Sequence, residues 1–67
     1  MKYQDSEDYL FKSVQLIHNN ESGVPLGAIG TILEIYNDMY CEVEFVNEDA
    51  STLYLGSVRY EDLEILD

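Results

Sequence analysis

Basic residues are scarce in this sequence. Its 67 residues include three Lys or Arg and 14 Asp or Glu, which gives a net charge of −11. Arg59 is the only basic residue after Lys12. Nucleic acids and anionic membranes are bound through clusters of Lys and Arg. The sequence therefore predicts no direct binding to either. Its excess of carboxylates suits recognition of a basic partner, and it equally suits a domain whose acidity serves only to keep it soluble.

Cysteine and histidine occur once each, as Cys41 and His18. A single cysteine cannot form an internal disulfide, and one Cys with one His falls short of the four ligands of a typical structural zinc site. Cys41 alternates in phase with apolar residues, so a buried thiol is predicted rather than a reactive one. His18 is predicted to be a lone surface histidine. No metal and no cofactor are expected.

Long hydrophobic runs are also missing, and the longest is far below the roughly 18 residues that a membrane-spanning helix needs. The first residues lack the basic start and the apolar stretch of a secretory signal. Together with the free thiol, these features predict a cytoplasmic protein. Residues 1–8 are polar and acidic and are predicted to form a flexible tail, and residues 9–67 a single folded domain.

What the sequence does contain is a set of short strand-like segments separated by turn-forming residues. The apolar fraction of 46% is that of a globular protein, and no segment has the apolar stripe of an amphipathic helix. Five short strands in one small domain indicate an all-β barrel or meander. The predicted strands are residues 12–18, 27–36, 39–46, 51–55 and 62–66, with a short 3-10 turn at residues 56–60.

Alternation of residue types predicts which side chains face the core. In the third strand Cys41, Val43 and Phe45 share one face, and the glutamates between them share the other. Leu53 and Leu55 are predicted to point inward from the fourth strand. Asn37-Asp38 is predicted to be a two-residue hairpin turn, because both residue types tolerate positive φ.

Three short motifs resemble a known family. They are a Gly-x-x-Gly-Thr strand at residues 27–31, a Val-Glu-Phe strand at residues 43–45 and a closing Asp-Leu at residues 62–63. As a set they are similar to a bacterial family catalogued as domain of unknown function 4926, over about residues 11–66. Ala50 departs from the pattern, since such proteins often carry glycine in this turn. The resemblance implies a five-stranded SH3-like (KOW-like) barrel and brings no activity or catalytic residues.

The candidate binding residues are glutamates and tyrosines of the central strands. Glu34 and Glu42 lie at similar distances from the predicted hairpin turn and are expected nearly to face each other. Tyr40 and Tyr54 are out of phase with the predicted core, and exposed tyrosines are effective contacts in protein interfaces. The predicted partner-binding residues are Glu34, Tyr36, Tyr40, Glu42, Glu44 and Tyr54.

These residues suit binding better than catalysis. No nucleophile, positioned base or oxyanion donor accompanies the carboxylates, and a barrel of this size offers little pocket. The leading hypothesis is a non-enzymatic module that docks a basic protein, in its most specific form an immunity or antitoxin protein. The alternatives are an SH3-like subunit of a larger assembly and a phage-type nucleic-acid mimic. An unpaired edge strand would also allow a homodimer.

Overall fold

A computed structural model describes residues 9–66 of the chain, so the predicted tail at residues 1–8 lies outside the described residues. Five strands and one short 3-10 helix follow one another along the chain. They are β1 (Ser13–Leu16), β2 (Ile29–Ile35), β3 (Tyr40–Val46), β4 (Thr52–Arg59), the 3-10 helix (Tyr60–Asp62) and β5 (Leu63–Ile65). The prediction of an all-β fold with a 3-10 turn before the last strand is confirmed.

All five strands belong to one antiparallel sheet in the order β4-β3-β2-β1-β5. Consecutive strands pair from β1 to β4, and β5 returns to pair with β1. β4 and β5 are therefore the two edges of the sheet. Within residues 9–66, no helix has the length and apolar character needed to cross a membrane.

The core lies against one face of the sheet, and strand alternation places side chains there. Cys41, Val43 and Phe45 of β3 are completely buried, as predicted. Val14 and Leu16 of β1 are also buried and belong to the same core. Since side chains alternate between faces along a strand, Glu42 and Glu44 project from the opposite face of β3.

The prediction for the fourth strand is wrong. Leu53 and Leu55 are exposed, Leu55 to 53%, whereas Tyr54 is partly buried against the core. β4 continues to Arg59, and its buried residue Val58 fixes which positions face inward, because the period of a strand is two. A register shift next to Phe45 leaves Leu53 without a partner on β3, as in a β-bulge.

The 3-10 turn occupies residues 60–62 rather than residues 56–60. Residues 56–59 remain in β4 because their ladder with β3 continues to the pair of Arg59 and Tyr40. The turn buries Tyr60 and Asp62 instead. Its position brings a carboxylate into the interior, which alternation alone does not predict.

The hairpin between β2 and β3 also differs from the prediction. Its loop runs over residues 36–39, and the Asn37 side-chain oxygen accepts hydrogen bonds from the backbone N–H groups of Met39 (2.8 Å) and Tyr40 (2.9 Å). Within residues 9–66, the non-glycine residues with positive φ are Phe11 and Ala50. The Asn37 side chain, rather than a left-handed backbone, therefore closes this turn.

Ala50 adopts a φ of 71° in the turn between β3 and β4. The turn is closed by hydrogen bonds from Asn47 N–H to the Ser51 carbonyl (2.8 Å) and from Ala50 N–H to the Asn47 carbonyl (2.9 Å). Glycine adopts such a φ without steric cost. Alanine at this position therefore holds a backbone conformation that glycine would adopt more easily.

Candidate functional site

The three predicted glutamates share the outer face of β2 and β3. Glu34 lies directly opposite Glu42 across the two strands, and Glu44 lies opposite Thr31. A register shift after Ile32 leaves Leu33 without a partner, so that Glu34 rather than Leu33 faces Glu42. The predicted convergence of Glu34 and Glu42 is confirmed.

Two tyrosines extend this surface toward the hairpin loop. Tyr36 and Tyr40 are exposed, and the Tyr36 N–H donates a hydrogen bond to the Tyr40 carbonyl (3.2 Å). We refer to this surface as the acidic outer face. It consists of Glu34, Tyr36, Tyr40, Glu42 and Glu44.

Hydrogen bonds orient two of its carboxylates. The Tyr36 hydroxyl donates to Glu42 Oε1 at 2.6 Å, and the Thr52 hydroxyl donates to Glu44 Oε2 at 2.6 Å. The bond to Glu42, followed by partial desolvation and the charges of Glu42 and Glu34, raises the pKa of Tyr36 from 10.0 to about 12. Tyr36 is thus held neutral, with its ring placed beside the carboxylates.

We expect Tyr36 to ionise near pH 12 rather than 10.0. The raised pKa means that the neutral form is favoured in the folded state. Its contribution to stability is therefore fully present below pH 10.0 and is lost as the pH rises through about 12. The measurement is an alkaline absorbance titration of the wild type and of Tyr36→Phe, with circular dichroism to follow unfolding.

The variant Glu42→Gln removes the charge of the acceptor, so the pKa of Tyr36 should return toward its ordinary value. Glu64→Gln is the control, since Glu64 lies on β5, the far edge strand of the sheet. The difference between the wild-type and Tyr36→Phe titrations gives the titration of Tyr36. If this residue titrates like an ordinary phenol, its hydrogen bond to Glu42 is contradicted.

The carboxylates of the acidic outer face are not neutralised by a cation of the described chain. Arg59 lies opposite Tyr40 on β4, but its guanidinium group pairs with Glu61 at 2.8 Å. Within residues 9–66, neither Lys12 nor Arg59 forms an ion pair with Glu34, Glu42 or Glu44. The negative charge of this surface is therefore available to a partner.

Tyr54 does not belong to this surface, so the prediction of an outward-facing Tyr54 is wrong. Its ring packs beside Phe45 with 6.5 Å between ring centroids. Gly56, which lies on the same side of β4, makes room for it, because a Cβ there would lie 2.7 Å from the Tyr54 hydroxyl oxygen. The Tyr54 hydroxyl donates to the Ser57 carbonyl at 3.3 Å.

A groove of about 690 Å³ lies between the β1–β2 loop and β4. Its lining includes Tyr40, which belongs to the acidic outer face, and Tyr54, which lies on the core side of β4. The remaining lining residues are Asn19, Asn20, Glu21, Ser22, Ser57, Val58, Arg59 and Asp62. No motif in the sequence marks this groove, because its loop wall meets a strand that lies more than 30 residues later in the chain.

Cys41 is buried as predicted, and burial raises the pKa of its thiol from 9.0 to about 12. The thiol therefore stays protonated and unreactive in the folded protein. His18 is exposed as predicted, but its Nδ1 lies 2.9 Å from the Glu61 carbonyl oxygen. Among the residues that the structure describes, no group of three or more His, Cys, Asp or Glu side chains is arranged to hold a metal ion.

Comparison with known proteins identifies a family. Residues 10–65 match the model of the family described as "Domain of unknown function (DUF4926)". No curated protein and no solved structure matches the chain. The matched residues include all five strands, the acidic outer face and the groove.

Proposed function

The chain belongs to the DUF4926 family, and we propose that it is a non-enzymatic protein-binding module that docks a basic partner through its acidic outer face. The observation that carries this proposal is the arrangement of Glu34, Glu42 and Glu44. These carboxylates lie together on two paired strands and have no cationic partner among residues 9–66.

Rigidity supports binding through this surface. Glu42 and Glu44 project from a strand that is paired on both sides, and each accepts a hydrogen bond from a neighbouring hydroxyl. Side chains that are already oriented lose less conformational entropy when they bind. Tyrosines add rigid, amphipathic contact area beside the charges.

The most specific form of the proposal is an inhibitor of the immunity or antitoxin type. A net charge of −11 speeds association with a strongly basic surface, such as the nucleic-acid-binding site of a toxin. The carboxylates would occupy the positions at which that surface otherwise meets phosphates.

We also propose that the sheet closes into an SH3-like barrel. The strand order, in which β5 returns beside β1, supports this architecture. The 3-10 turn that separates β4 from β5 is consistent with it. Such a barrel would present the acidic outer face on its convex side.

One observation favours an assembly subunit as the second candidate. Apolar side chains are exposed on neighbouring strands of the same sheet, at Ile29, Val46, Leu53 and Leu55. A partner that binds there would make hydrophobic contacts, which high salt does not weaken. Salt dependence therefore distinguishes the two candidates.

The test uses the full chain, tagged and incubated with extract of its native cells, then washed at low and at high salt. Captured proteins are identified by mass spectrometry, and the purified partner is titrated by calorimetry. The proposal expects a basic protein that high salt releases. The double variant Glu42→Gln/Glu44→Gln should weaken its binding by about tenfold or more.

The matched control is Glu48→Gln/Glu64→Gln, which removes the same charge from exposed positions outside the acidic outer face. It should change the affinity much less. Equal losses in the two double variants would show that only net charge matters. A partner that is retained in high salt would favour the assembly subunit instead.

A further inference from the structure

The groove beside β4 has an excess of negative charge. Its ionisable lining residues are Glu21, Arg59 and Asp62. The only cation among them, Arg59, is already paired with Glu61 at 2.8 Å. The two carboxylates therefore face the groove without a lysine or arginine partner among residues 9–66.

Asp62 is the more informative of the two carboxylates, because it is only 8% exposed. Buried carboxylates in proteins are normally hydrogen-bonded or paired with a cation. The Asp62 carboxylate accepts no hydrogen bond within the described chain; its side chain is 12% exposed, and it forms an ion-pair contact with His18 Nδ1 at 3.7 Å. His18 Nδ1 is closer to the Glu61 carbonyl oxygen, at 2.9 Å, so its contact with Asp62 is the longer of the two.

The other walls of the groove suit a cationic group. Tyr40 and Tyr54 provide aromatic rings, and the face of a tyrosine ring attracts ammonium and guanidinium groups. The loop wall is fixed by its own hydrogen bonds, since Asn20 Oδ1 accepts from Ser22 N–H at 2.9 Å and Ser22 Oγ accepts from Val24 N–H at 3.1 Å. The groove is thus formed before any ligand binds.

We propose that this groove binds the side chain of an arginine, whose guanidinium group pairs with Asp62 and lies against one of the two tyrosine rings of the lining. A guanidinium group fits better than an ammonium group because its planar donors match a carboxylate and its plane stacks on aromatic rings. The inference rests on the proposed function, since it names the group of the basic partner that enters the groove.

The probe is N-acetyl-arginine methylamide, titrated into the full-length, isotope-labelled protein and followed by amide chemical shifts. The proposal expects saturable shifts at residues 19–22, Tyr40 and Asp62. The citrulline analogue has the same shape without the charge and should give no saturable shifts there. Equal binding of the two compounds would overturn the requirement for a cation.

Two variants test the role of the carboxylates. Asp62→Asn should weaken binding of the arginine probe by about tenfold or more. Glu21→Gln lies in the exposed loop, is expected to fold normally, and should weaken it by about threefold. Glu64→Gln, with the same loss of charge outside the groove, should leave the affinity unchanged. Wild-type affinity in both groove variants would overturn the proposal.

The location of the shifts separates this inference from the proposed function. Chemical-shift changes centred on Glu34, Glu42 and Glu44, without changes at residues 19–22, would contradict the arginine site in the groove. They would not contradict partner binding by the acidic outer face. The opposite result is arginine binding in the groove together with a captured partner whose affinity does not change in Glu42→Gln/Glu44→Gln. It would contradict partner binding by the acidic outer face and support the arginine site.

Discussion

Gly30→Ala is expected to destabilise the protein by about 3 kcal/mol. A Cβ at position 30 would lie 2.6 Å from the Glu44 carbonyl oxygen and 2.9 Å from side-chain carbons of Val43 and Phe45. The backbone of β3 cannot move away without breaking its hydrogen bonds to β2 and β4, between which it lies. At roughly 0.05–0.15 kcal/mol per residue, a domain of 67 residues has a total stability of roughly 3–10 kcal/mol, so this variant should lose a large share of it.

The measurement is urea denaturation followed by circular dichroism, with Gly56→Ala as the matched control. A Cβ at position 56 would also be too close to its neighbours, but these are the hydroxyl end of the Tyr54 side chain, at 2.7 Å. That side chain can move, so the control should lose less than about 1 kcal/mol. Equal stability of Gly30→Ala and the wild type would contradict the packing of β2 against β3.

Leu16→Ala is expected to cost about 3 kcal/mol of stability, because Leu16 is 1% exposed and its removal leaves a cavity in the core. The same substitution at Leu55 should cost less than about 1 kcal/mol, since Leu55 lies on the outer face of β4. The two variants remove identical atoms, so their difference in free energy of unfolding reports burial alone.

This pair also tests the phase of β4 directly. The sequence pattern places Leu55 in the core, whereas the structure places Tyr54 there. A loss at Leu55 as large as that at Leu16 would mean that the strand faces the other way. In that case Tyr54 could not line the groove, and the proposed arginine site would lose one of its two rings.

Tyr40 connects the two proposed binding surfaces. It belongs to the acidic outer face, where it neighbours Tyr36, and it also lines the groove together with Tyr54. A single basic segment of a partner could therefore contact the glutamates of β3 and insert an arginine beside Asp62. Tyrosine is enriched among the central contacts of protein interfaces.

The sequence alone determined the central part of the fold. Strict alternation around Cys41, Val43 and Phe45 predicted both the buried face and the outward glutamates of β3, because a strand with one buried face can satisfy such a pattern in only one register. The spacing of Glu34 and Glu42 about the hairpin predicted that they would lie close together, but their direct pairing depends on the register shift after Ile32. The three short motifs were enough to identify the family.

Only the tertiary structure decided the edge of the sheet and the groove. The phase of β4 depends on a bulge and on the burial of Val58, and the Leu-Tyr-Leu segment fits either phase. The groove forms where the end of β4 and Asp62 meet the loop around Asn20, which is distant in sequence. Local patterns report the preferences of neighbouring residues, whereas these features arise from non-local contacts that fix which of two locally acceptable arrangements has the lower free energy.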